Sequence, residues 1–107
     1  MKQWVVSFTD EAKKDYNAFD PSSLNQVDKA IRKVSQNPLP QNEGGYGKPL
    51  GNKNSNNLTG LLKIKLLKLG ISVVYKLVRT DEVMKIIVVA VRADDEVYEI
   101  AAKRIDT

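Results

Sequence analysis

The sequence contains no cysteine and no histidine. Without thiols there is neither a disulfide framework nor a thiolate metal site, and without imidazole the commonest other metal ligand and the commonest general base are both missing. Zinc enzymes and histidine-based nucleases are excluded, and no cofactor or metal is expected. Long apolar runs are missing as well. The longest, Ile86 to Val91, has six residues, against the roughly twenty that span a bilayer, so no membrane crossing is expected. The apolar stretch around Trp4, Val5 and Val6 gives way to Asp10 and Glu11, too soon for the apolar region of a secretion signal, and a cytoplasmic protein is the expectation. A chain of 107 residues predicts a single domain over 1–107, large enough to hide roughly two thirds of its unfolded surface.

Negative charge is absent from one stretch. Residues 1–43 carry six basic and six acidic groups, whereas Gly44 to Thr80 carry seven basic residues (Lys48, Lys53, Lys63, Lys65, Lys68, Lys76, Arg79) and no acid. Residues 81–107 carry four basic and seven acidic groups. The net +4 is therefore concentrated in the middle. Such a block reads either as a solvated lysine-rich face or as the footprint of a polyanion, nucleic acid or an acidic protein segment, bound more weakly as salt rises.

Residues 2–8 read as a strand. Thr9 then offers an N-cap with Asp10 and Glu11 in the first turn, and Ala12, Tyr16 and Phe19 make one helical stripe. Asp20-Pro21 starts a second helix with the stripe Leu24, Val27, Ile31 and Val34, stopped near Asn37 by Pro38. This αα-hairpin is expected to pack on a sheet through Tyr16, Phe19, Val27, Ile31 and Val34. Residues 38–58 are rich in turn formers without a period and predict a long loop, its mobile part at 51–57. Strands follow at about 60–68, 71–79 and 84–92, with turns at Leu69-Gly70 and 80–82, then a short helix from Asp95 to Arg104. Ile86 to Val91 lacks polar alternation, as a central strand covered on both faces would. The predicted fold is α+β, ordered β-α-α-β-β-β-α, with the hairpin on a mainly antiparallel four-stranded sheet and a short C-terminal helix.

Alternation places Leu62, Ile64 and Leu66 on one face and Lys63, Lys65 and Leu67 on the other. A hairpin turn at Leu69-Gly70 sets Lys63 opposite Lys76, Lys65 opposite Val74 and Leu67 opposite Ser72, with Val73, Tyr75 and Leu77 on the core face. Two like charges directly opposite ordinarily destabilise a sheet. An anion over that face, phosphate above all, would account for them.

The segments Leu62-Lys63-Ile64-Lys65-Leu66, Gly70-Ile71-Ser72-Val73-Val74-Tyr75, Val89-Ala90-Val91-Arg92, Glu96-Val97-Tyr98-Glu99 and Ala102-Lys103-Arg104-Ile105 resemble, in order and spacing, the RelE branch of the RelE/ParE toxin superfamily. That resemblance implies the toxin of a type II toxin–antitoxin system. Its expected activity is a metal-independent, ribosome-dependent endoribonuclease that cuts mRNA and inhibits translation, with an antitoxin and the mRNA-bearing ribosome as partners. It implies a catalytic set of Lys63, Lys65, Arg92 and Tyr98. Attack by the RNA 2′-hydroxyl needs a base, for which crowding by other cations would suit Lys65 as a neutral amine. It also needs a cation on the phosphorane (Lys63), a phosphate clamp that assists the leaving group (Arg92), and a group that stacks on or orients a base (Tyr98). Where the family pattern carries an arginine two residues after the hairpin glycine, this chain has Ser72. Lys76 and Lys68 are the candidates to replace that cation, and Lys48, Lys53, Lys68, Ser72 and Lys76 are the expected RNA contacts. The alternatives are a ParE-like DNA gyrase inhibitor, or a catalytically weak or inactive relative that binds antitoxin and nucleic acid.

Overall fold

The computed structural model describes residues 3–53 and 56–105, apart from the side chains of Asn52 and Lys53. Lys2, in the expected first strand, and residues 54–55, in the expected mobile loop, lie outside the described residues. The element order is β1 (Val5–Phe8), α1 (Asp10–Asn17), α2 (Pro21–Ser35), β2 (Lys48–Lys53), β3 (Asn56–Leu66), β4 (Ile71–Val78), β5 (Val83–Val91) and α3 (Asp94–Ile105). The architecture is α+β, as expected. The sheet has five strands among the described residues rather than four, in the order β1-β5-β4-β3-β2. β1 runs parallel to β5 and every other pairing is antiparallel.

Both helix starts follow from their caps. Thr9 Oγ1 accepts the Ala12 N–H at 3.1 Å, and Asp20 accepts the Ser23 N–H at 3.2 Å with Pro21 in the first turn of α2. The hairpin packs on one face of the sheet. Ala12, Val27, Ile31 and Val34 are buried against Leu62, Ile71, Val73, Tyr75, Met84, Ile86 and Val89, while Tyr16 and Phe19 are only partly buried at the margin. On the other face α3 lays Val97, Tyr98 and Ala101 over Leu58, Leu61, Val74, Ile87 and Val88. β5 is thus covered from both sides, which explains its unbroken apolar run.

Two departures from the sequence reading shape the site. The predicted loop over 38–58 contains a 3-10 turn at Gln41–Glu43, the whole of β2 and the first residues of β3. Turn formers are tolerated there because β2 is an edge strand: Pro49 needs no ladder donor on its open side, and Gly51 sits at a bulge with φ +60°. The segment before β2 is anchored too, by the Tyr75 hydroxyl donating to the Pro38 carbonyl at 2.8 Å. Burial pushes the Tyr75 hydroxyl pKa up.

The second departure is in the β3–β4 register. Residues 67–70 form a four-residue turn closed by the Gly70 N–H on the Leu66 carbonyl at 2.8 Å. A two-residue turn would pair residue 68 with 71. The longer one pairs Leu66 with Ile71, so Lys63 faces Val74, Lys65 faces Ser72, and Lys76 faces Leu61. A shift by two preserves which face each side chain takes, so the apolar and lysine faces match the expectation while the cross-strand partners differ.

Arg104 ties the end of α3 to α1 and β5. Its guanidinium donates to Asp15 at 2.7 and 3.1 Å and to the Ile87 carbonyl at 2.8 Å, and the Asp15 carboxylate also accepts the Val89 N–H at 3.1 Å. The ion pair holds the Arg104 pKa above its ordinary value, chiefly through the Asp15 hydrogen bond. Among the described residues no helix is long and apolar enough to cross a membrane.

Candidate active site

Lys63 and Lys65 project from β3 toward α3, and the docking of that helix sets their surroundings. Lys63 is only 5% exposed. Its Nζ donates to Tyr98 Oη at 2.8 Å, lies 5.1 Å from the Tyr98 ring centroid and stands 3.5 Å from Asp94 Oδ1. A buried ammonium needs such partners to offset lost hydration. Lys65, whose side chain is 34% exposed, donates to the same Asp94 oxygen at 3.0 Å. One carboxylate oxygen therefore bridges the two lysines. Asp94 opens α3, where the helix dipole favours an acid. The Lys65 hydrogen bond above all, helped by the charges of Lys63 and Lys65 against burial, holds its carboxyl below the usual carboxylate range.

The lysine face is consequently not an all-cation surface. Nothing in the sequence marks Asp94 as part of the site beyond its place in an acidic run after Arg92, which also fits an ordinary helix start.

Beside this cluster opens a cleft of about 480 Å³ lined by Lys33, Gln41, Tyr46, Lys48, Lys63, Lys65 and Asp94. It exists because β2 pairs with β3 only as far as Lys48 opposite Lys63, leaving the edge of β3 beyond that point uncovered by a strand among the described residues. Tyr46 is 45% exposed on its rim, with Lys33 Nζ 5.3 Å from the ring centroid. Lys33, Gln41 and Tyr46 also escaped the sequence reading, since nothing in α2 or in the turn-rich segment shows that they converge on β3.

The other expected residues are placed unevenly. Tyr98 is 8% exposed, with its ring against β3 and its hydroxyl on Lys63, so in this arrangement it positions a lysine and is not open for stacking on a base. Arg92 lies at the exit of β5, exposed, 3.6 Å from Glu96. Ser72 is fully buried with its hydroxyl unpaired among the described residues, which takes it off any surface an RNA strand could touch. Lys76 is exposed in a hollow with Lys85, Arg104 and Ile105, outside the cleft that holds Lys63 and Lys65. Lys68 is exposed in the β3–β4 turn, away from Lys63, in a second hollow with Lys29 and Lys33. Lys48 joins the cleft directly. Lys53 ends β2, and its side chain lies outside the described residues.

No family model and no curated protein sequence matches the chain. Solved structures do. The isolated Escherichia coli RelE toxin superposes with a TM-score of 0.68 at 24% identity, covering 95% of this chain and 98% of that one. A double arginine-to-alanine variant of E. coli RelE in the free state gives 0.73 at 23% identity, covering 97% and 99%. The RelBE2 toxin–antitoxin complex of Mycobacterium tuberculosis gives 0.68 at 25% identity, covering 88% and 97%. The likeness runs through nearly the whole of each chain, and in fold this protein is RelE-like.

Proposed function

We propose that the chain is the toxin of a type II toxin–antitoxin pair and acts as a metal-independent endoribonuclease on mRNA held in the ribosome. The observation that carries this reading is the pairing of Lys63 and Lys65 on one oxyanion, Asp94 Oδ1, at the mouth of a cation-lined cleft. A phosphodiester offers oxygens of the same charge and hydrogen-bonding capacity. Lys33 and Lys48 extend the cationic lining along the path a single strand would follow.

In the reaction the RNA 2′-oxygen bonds to the adjacent phosphorus, and the bond from phosphorus to the 5′-oxygen breaks, leaving a 2′,3′-cyclic phosphate and a 5′-hydroxyl. Lys65, the more exposed amine, takes the 2′-hydroxyl proton as the free amine, once its ion pair with Asp94 is broken. Lys63, oriented by Tyr98, stabilises the added negative charge on phosphorus. Arg92, at the exit of β5, clamps the phosphate and assists protonation of the departing oxygen. Such a set of groups is chemically weak in isolation, so much of its rate must come from RNA held in the attacking geometry. That is the reason to assign the ribosome as partner. A cognate antitoxin is the second partner, in keeping with the RelBE complexes among the structural neighbours.

The test is primer extension on mRNA incubated with the purified protein, with and without ribosomes. Cuts in register with codons, present only with ribosomes, are expected. Rapid cutting of naked RNA at sites unrelated to codons would overturn the mechanism, and loss of gyrase supercoiling without any RNA cut would put the gyrase-inhibitor reading ahead.

A further inference from the structure

We propose that Asp94 is a resident stand-in for an RNA phosphate, seated on Lys63 and Lys65 until a substrate phosphate displaces it, and that it thereby sets how demanding the site is of its RNA. The inference rests on the nuclease reading and adds a residue that reading does not contain.

The geometry leaves little other room. Lys63 is nearly shut off from solvent, so an incoming phosphate oxygen reaches its nitrogen only by replacing a present partner. Tyr98 is buried with it, packed among Val97, Ala101 and the α3 face of the sheet. The Asp94 side chain is 44% exposed and stands in the first turn of α3, so it can rotate outward without undoing the packing of the helix. A phosphate that joined the lysines without moving Asp94 would place two anions on one pair of cations, a repulsion strengthened by partial exclusion of water. Displacement is the favourable course, and it subtracts from the affinity of any anion that arrives alone. RNA whose position is already fixed by other contacts bears that subtraction best. Asp94 thus disfavours free RNA relative to RNA presented in place.

The test compares the wild-type chain with Asp94→Asn and Asp94→Ser, the serine keeping a side-chain acceptor at the helix start if the asparagine variant folds poorly. The probe is a fluorescent 2′-O-methyl RNA oligomer, which binds but has no attacking hydroxyl. Anisotropy titrations should show about tenfold tighter binding by either neutral variant. The slope of log affinity against log salt should steepen by roughly 0.7, one further phosphate contact on a single strand. Equal or weaker binding by both variants overturns the proposal and makes Asp94 a group that merely holds the lysines in place. A gain seen with an acidic peptide of matched charge but not with the oligomer overturns the assignment to RNA. Failure of the nuclease reading shows elsewhere, as wild-type protein that cuts nothing on ribosomes while the neutral variants still gain affinity for the oligomer.

Discussion

Lys65→Ala removes the proposed proton acceptor but leaves Lys63, Lys33 and Lys48 to attract phosphate. Single-turnover cleavage on ribosomes should fall by on the order of a hundredfold, the scale of a lost general base, with RNA affinity much less affected. Lys48→Ala is the matched control, since it lines the cleft without touching Asp94 and should change mainly the salt dependence of binding. If both variants behave alike, the cluster is an electrostatic platform only. Ser72 carries a different expectation. Its fully buried, unpaired hydroxyl contributes a desolvation cost and no hydrogen bond among the described residues, so Ser72→Ala should stabilise by about 1 kcal/mol. Thermal melting should rise by roughly 4 °C for a chain of this size, and an unchanged or lowered midpoint would mean that the hydroxyl has an ordered-water partner.

At the scale of elements, the segment from Pro38 to Gly47 forms one wall of the cleft, and its seating depends on a glycine. A β-carbon on Gly47 would collide with the Tyr75 hydroxyl and sit 2.5 Å from Leu62 Cδ2. Gly47→Ala should therefore break the Tyr75–Pro38 hydrogen bond, cost about 2 kcal/mol by overpacking, and shift Tyr46 relative to Lys33. Denaturant unfolding checks the first effect and tyrosine fluorescence the second. The same segment shows what the sequence could and could not disclose. The two N-terminal helices were legible because caps, proline and stripe all lie within a few residues of one another. β3, β4 and β5 were legible as alternating or unbroken apolar runs. β2 was not, because an edge strand containing proline and glycine is defined by its partner, Asn56–Leu66, and not by its own pattern. The register missed by two because Leu67 and Lys68 look like strand residues, and only the closure of Gly70 onto Leu66 shows that they belong to the turn. Asp94 and the burial of Lys63 and Tyr98 follow from the docking of α3 on the lysine face, a long-range event with no local signature.

For the molecule as a whole, the division of charge along the chain is partly undone by folding. The acidic start of α3 comes down on the basic middle of β3, so the field seen from outside is milder than the sequence implies near Lys63 and Lys65, and remains strong along Lys33 and Lys48. β1 pairs with β5 only up to Phe8 opposite Ile86, and beyond that the outer edge of the most apolar strand has no neighbouring strand among the described residues. The backbone groups of Val89 and Ile87 on that edge are taken instead by Asp15 and Arg104. Two side chains thus stand where a strand of another copy could pair, a guard against edge-to-edge association. Arg104→Ala should lower stability by about 2 kcal/mol through lost charge-assisted hydrogen bonds. It should also make the folded protein associate at concentrations where the wild type remains dispersed, measured by light scattering well below the melting temperature. A variant equally destabilised elsewhere, such as Gly47→Ala, should remain dispersed under the same conditions. Unguarded, the five apolar residues from Ile87 to Val91 would present the ladder on which aggregates nucleate.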